Sequence, residues 1–279
     1  MGAYNVRRHQ YGDIDMTTVK KMWPLLTATH RYDKTISTHG RGAGEMIDAP
    51  ILAYLIETAN GRILYDVGCD YSKINDPALC AKYYDAGAFA YGAPVMAPEQ
   101  RIPAYLKRLG LQPSDIDVVF VGHLHFDHAG GLGELARCGC GAEVHVQKDE
   151  LDAAMSGQDA ACFEDDFIGH GPLHLVEGEY DLCDGVRAIS TPGHTAGHMS
   201  MWIELPKGAP VLLAGDAADL MENIDDEVAP GGCWQGQYGR AIESIRKLKR
   251  IAHDEKAQLW PNHDFAFYRA LAAFPAWQE

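Results

Sequence analysis

His123-Leu124-His125-Phe126-Asp127-His128 packs four metal-donor side chains into six residues. The residues before it, Asp117-Val118-Val119-Phe120-Val121, form an apolar, β-branched run of strand length. The donors therefore begin where a buried strand ends, on irregular backbone at the rim of a sheet. Imidazole and carboxylate together suit zinc, iron or manganese, and no cysteine belongs to the cluster. This spacing crowds a single tetrahedral ion. His123 and His125 can turn to one ion while Asp127 and His128 turn to a second.

Outward from this loop, strand and helix patterns follow one another. Upstream, Ile51 to Glu57 and Ile63 to Val67 are apolar runs separated by Asn60-Gly61, a pair that tolerates the positive φ of a type I′ hairpin turn. Ile102 to Leu109 has helical spacing and stops at Gly110. Residues 1–45 read as loop with a short opening strand, and 70–100 as irregular. Downstream, Glu143 to Gln147 reads as strand, 148–155 as helix and 156–180 as a loop-like insertion. Further strands are expected at 187–190, 198–204, 210–214 and Gln258 to Trp260. A helix from Ala241 to His253 carries Ile242, Ile245, Leu248 and Ile251 on one stripe. Strands in both halves with helices between them predict an α/β layered domain.

The 279 residues are 47% hydrophobic with a formal net charge of −15, so the chain can bury a large core and repels polyanions. The basic cluster Arg246-Lys247-Lys249-Arg250 falls on the last helix and reads as its solvated face. Nucleic acid is not an expected partner. No apolar run reaches the roughly 20 residues of a membrane span, and Met1-Gly2-Ala3-Tyr4 opens no apolar leader. The seven cysteines are odd in number and have no repeated spacing, which predicts free thiols and a cytoplasmic protein.

Four more stretches complete the pattern. Leu64-Tyr65-Asp66-Val67-Gly68 precedes the hexapeptide. Thr191-Pro192-Gly193-His194-Thr195-Ala196-Gly197-His198, Leu212-Leu213-Ala214-Gly215-Asp216 and Pro261-Asn262-His263-Asp264 follow it. In this order they resemble the motifs of the metallo-β-lactamase superfamily. The resemblance implies an α/β fold, a four-layer αβ/βα sandwich, as one domain over 1–279, with 1–45, 70–100 and 156–180 shaping the substrate pocket. It implies two divalent metal ions, zinc first, with iron or manganese as alternatives. His123, His125 and His194 would hold one ion, Asp127, His128 and His263 the other, and Asp216 would bridge them. His198 would then be structural.

Within the superfamily, Pro50 to Glu57 and the hexapeptide are most similar to the N-acyl-homoserine lactonase group. That similarity implies a quorum-quenching hydrolase that opens a lactone ring by attack of a metal-bridging hydroxide, with Asp127 as proton shuttle. No Gly-x-Ser-x-Gly elbow offers a serine nucleophile. One position departs from the group, whose members carry Tyr three residues after the bridging Asp; here it is Asp219. A carboxylate cannot donate a hydrogen bond unless protonated. Asp219, Tyr83, Tyr84 and Tyr91 are therefore the candidate substrate contacts. The expected partner is a small ester or lactone, with no membrane and with a homodimer as the assembly to test. Two other readings are a thioesterase similar to hydroxyacylglutathione hydrolase, which needs cations for its substrate's carboxylates, and a non-catalytic protein that uses its metals to hold a ligand.

Overall fold

The computed structural model describes residues 18–279, and the expectations for 1–17 lie outside them. Alternation along Met46–Thr58 divides that strand between two cores. Leu52, Tyr54 and Ile56 join Met199, Met201, Ile203, Val211 and Leu213 between two sheets. Ala53 and Leu55 face the other way, onto Ile102, Leu106, Leu132 and Leu135 of the helices outside.

The first sheet holds β1 (Val19–Asp33), β2 (Met46–Thr58), β3 (Arg62–Tyr65), β4 (Val118–Phe120), β5 (Glu143–Gln147) and β6 (Leu173–Val176), in that spatial order. The second holds β7 (Tyr180–Cys183), β8 (Val186–Ser190), β9 (Met199–Ile203), β10 (Val211–Leu213) and β11 (Gln258–Trp260), ordered β11-β10-β9-β8-β7. Chain order and sheet membership thus coincide, and the step from one sheet to the other falls in Glu177-Gly178-Glu179. On the second sheet's outer face Ile189 and Leu212 meet Ile245 and Leu248 of helix Tyr238–Asp254. Helix, sheet, sheet, helix is the four-layer sandwich that the motifs implied.

Several local expectations need correction. The opening strand is long: β1 pairs with β2 from Val19↔Thr58 to Asp33↔Met46. Its polar residues hid it, because the partner strand and not alternation sustains it. The β2–β3 hairpin forms, but Gly61 has positive φ and Asn60 does not, so the turn is not type I′. Residues 70–100 include helices Tyr71–Asn75 and Pro77–Tyr83, each started by an Asp side chain accepting from backbone N–H groups. The 156–180 stretch includes helix Glu164–Phe167 and β6, which lies parallel to β5. The buried line of the last long helix runs through Ala241, Ser244, Ile245 and Leu248, and Ile242 lies beside it. Arg246 and Lys249 pair with Glu227, and Lys247 pairs with Glu179, as a solvated face would.

The two sheets are clasped at one end of their interior strands. Met199 N–H donates to the Gly122 carbonyl (2.9 Å), and the Tyr65 hydroxyl donates to the Met199 carbonyl (2.9 Å). The loops leaving β3, β4, β8, β10 and β11 gather near this clasp. All seven cysteines are free thiols. No helix among the described residues is long and apolar enough to cross a membrane.

Candidate metal centre

The hexapeptide leaves β4 through Gly122, and three supports fix its path. Asp66, held at φ 60°, accepts from Gly122 N–H (2.7 Å) and faces His128 Nδ1 (2.8 Å). Glu150, buried on helix Lys148–Ala154, accepts from Leu124 N–H (2.9 Å) and from Gly197 N–H (3.0 Å). It therefore ties the His123 loop to the His194 loop. The latter is pressed against the last long helix at Gly193, whose φ is +144° and where an added Cβ would lie 2.5 Å from Ala241 backbone.

These loops bring all seven predicted donors together. Donor atoms of His123, His125 and His194 lie within 4.8 Å of one another, as do those of Asp127, His128 and His263. Asp216 stands between the groups: its carboxylate is 3.1 Å from His263 Nε2, 3.3 Å from His128 Nε2, 3.4 Å from His194 Nε2 and 3.7 Å from His123 Nε2. Asn262 donates to it as well (2.8 Å).

The outward nitrogens of His125, His128, His194 and His263 are engaged, which leaves their inward ones to face the centre. His128 is held by Asp66, His194 by the Gly232 carbonyl (2.9 Å), His263 by the Pro50 carbonyl (2.7 Å), and His125 by Asp159 (3.0 Å). Such outer partners fix tautomer and ring orientation in metal ligands. His123 is fully buried with neither nitrogen hydrogen-bonded among the described residues, a state that costs free energy unless a cation completes it. His125 Nδ1 and His194 Nε2 are 3.1 Å apart, close to the roughly 3.3 Å edge of a tetrahedron with metal–nitrogen bonds near 2.0–2.1 Å. The residues present fit divalent metal.

The charges agree. Burial alone would depress His263, yet Asp216 lifts it to about 10. His128 is likewise raised, against burial, by Asp216, Asp66 and Asp127. The carboxylates call for positive charge at this point, and protons supply it where cations do not. His194 is lowered to about 4, by burial first. Burial, then the nearby Asp216, pushes Asp219 up to about 8.

His198 is structural here. Its Nε2 accepts from Asp216 N–H (2.9 Å), so its Nδ1 carries the proton and donates to Thr191 Oγ1 (2.8 Å). Thr191 in turn meets Ser200, which donates to the Ala214 carbonyl. Neither nitrogen is left for a metal.

A cavity of about 650 Å³ opens over the centre. Its lining includes Asp127, Asp216, Asp219 and His263 at the floor and Ile36, Phe89, Tyr91 and Trp234 elsewhere. Residues from 1–45, 70–100 and 156–180 all contribute, His30, Tyr32, Phe89, Gln158 and Asp159 among them. Of the predicted substrate contacts, Asp219 and Tyr91 line it. Tyr83 instead bonds to Asp165, and Tyr84 is buried among Phe89, Phe126 and Phe163. Sequence reasoning missed Glu150, Asp159 and Tyr32. No spacing rule marks them, because each reaches the site from a distant segment.

Fold and donor set together define a metal centre of the metallo-β-lactamase class. The sequence pattern of the Metallo-beta-lactamase superfamily matches residues 47–259. The chain is 34% identical to an N-acyl homoserine lactonase of a Bacillus species, over 92% of this chain and 98% of that one. It is 28% identical to the N-acyl homoserine lactonase AttM of Azorhizobium caulinodans, over 80% and 85%. A solved N-acyl homoserine lactone hydrolase, with the product N-hexanoyl-L-homoserine bound at its catalytic metal center, superposes with a TM-score of 0.82 at 32% identity, covering 94% of this chain and 100% of that one. The chain belongs to the metallo-β-lactamase superfamily and, within it, to the N-acyl homoserine lactonase family.

Proposed function

We propose that this protein is a cytoplasmic, quorum-quenching lactonase that opens N-acyl homoserine lactones at a centre of two divalent ions, zinc first, within a single domain over 1–279. The observation that carries the reading is the convergence of two three-donor groups on Asp216 in a chain of this family. His123, His125 and His194 would hold one ion, Asp127, His128 and His263 the other, with Asp216 between. Ions held there would supply Lewis acidity to a carbonyl oxygen and to a water.

The chain's own groups do the rest. Water adds to the ring carbonyl carbon, the ring C–O bond breaks, and one proton must reach the leaving alkoxide. Asp127 lines the cavity with Oδ2 3.8 Å from both His128 Nε2 and His263 Nε2, so it can hold that proton and pass it on. Asp66 and Asp159 keep the ligand imidazoles oriented while this happens. The apolar lining of Ile36, Phe89, Tyr91 and Trp234 suits an acyl tail. Among the described residues no Lys or Arg lines the cavity, which disfavours a thioester bearing glutathione's carboxylates.

A hydrolysis screen of lactones against thioesters, with elemental analysis of the same sample, tests the reading. The expected result is turnover of acyl homoserine lactones with about two ions per chain. Thioester turnover alone, or tight ligand binding without turnover, would replace the proposal with one of the two other readings.

A further inference from the structure

Resting on that reading, the floor of the cavity carries a polar device outside the seven donors. Asp219 is 3% exposed and lines the cavity, yet its Oδ1 has no hydrogen-bond partner among the described residues. Its carboxyl faces the Ser37 side chain. The same hydroxyl lies 2.9 Å from the Tyr32 phenol oxygen, and Tyr32 also lines the cavity. The three side chains are fixed by their own backbones. Ser37 is held by its N–H on the Lys34 carbonyl and by Asn223 Nδ2 on its carbonyl, both at 2.9 Å. The Asp219 carbonyl receives His263 N–H (2.8 Å). Tyr32 sits in β1, registered against Ile47.

A buried acceptor with a free oxygen costs free energy unless a ligand completes it. Beside it stands a phenol, which can donate. Other donors of the lining are more open, such as Tyr91 at 41% exposure. Acceptor and donor flank Ser37 and line the same cavity, so they lie on one wall and address groups that point the same way. Across a single carbon, an acylamino N–H and a ring carbonyl can do so. A carboxyl accepts through a lone pair in either protonation state.

We propose that the Ser37 hydroxyl donates to the Tyr32 phenol oxygen, which frees the phenol proton for the ring carbonyl oxygen, while Asp219 accepts the amide N–H of an α-acylamino lactone through its free Oδ1. The enzyme then selects this class over lactones lacking the N–H.

The test compares metal-loaded enzyme on N-hexanoyl homoserine lactone and on α-hexyl-γ-butyrolactone, which has no N–H. Wild type should favour the former in kcat/KM by about 30-fold, since a built acceptor penalises the unpaired analogue. In Asp219→Ala the preference should fall to about 3-fold or less, with Asp219→Asn intermediate because its carbonyl still accepts. Tyr32→Phe should lower kcat on both lactones by about 10- to 100-fold, the loss of one donor to a developing oxyanion. Calorimetry with N-hexanoyl-L-homoserine should show weaker binding to Asp219→Ala, and metal content and circular dichroism should match wild type. If Asp219→Ala does not fold, Asp219→Asn and the wild-type substrate pair carry the test. Equal wild-type rates on the two lactones, or a preference unchanged in the Asp219 variants, overturns Asp219's role alone. A wild-type kcat in Tyr32→Phe overturns that of Tyr32. Failure of wild type on both lactones overturns the lactonase reading, and this inference with it.

Discussion

Asp127, His194 and His198 are each close to the centre, and their losses should differ in kind. Asp127→Asn keeps the shape of a donor but cannot take a proton, so kcat should fall at least about 100-fold by steady-state kinetics. His194→Ala removes an inward nitrogen and should lower metal content as well as rate. His198→Ala should leave metal content near wild type while lowering stability by about 1–3 kcal/mol, because Asp216 N–H loses its buried acceptor. Elemental analysis and denaturant titration of both variants separate the two roles, and the reverse pattern would exchange them. Sequence spacing brought the seven donors within reach because they stand in short local motifs. It could not reach Glu150, Asp159, Ser37 or Tyr32, whose roles depend on which distant loop each meets.

At the scale of elements, strands such as Glu143–Gln147 and Gln258–Trp260 were legible to the residue, since apolar runs between turns mark them. β1 was not, because its partner sustains it. The short helices after Asp70 and Asp76 were missed although their caps were in plain view. The loop carrying His194 depends on close approach. Gly193→Ala must place a Cβ 2.5 Å from Ala241 backbone at φ +144°. We expect a stability loss of about 2–4 kcal/mol together with weaker metal binding, read by thermal melts with and without added zinc. Glu150→Ala should loosen the same pair of loops from the other side, leaving the Leu124 and Gly197 N–H groups unpaired. Unchanged metal affinity in both variants would show that the loops hold the centre without these contacts.

For the whole molecule, the carboxylate-rich centre ties stability to pH once metal is stripped. His263 is raised from 6.5 to about 10, with burial opposing and Asp216 prevailing. Its contribution is therefore complete below pH 6.5 and is lost as pH rises through about 10. Melting of metal-free protein should fall across that window, and His263→Gln should show a shallower fall. An equal slope in both would remove His263 as the cause. The four-layer order was legible from the motifs, while the single passage of the chain between sheets was not, since no composition change marks Glu177-Gly178-Glu179. That passage has a further consequence. His123, His125, Asp127 and His128 precede it, and His194, Asp216 and His263 follow it. A chain nicked at Gly178 would be a pair of half-sandwiches glued by their common core and riveted at one end by the ions, so that zinc would act as an adhesive and a chelator would loosen that end of the joint.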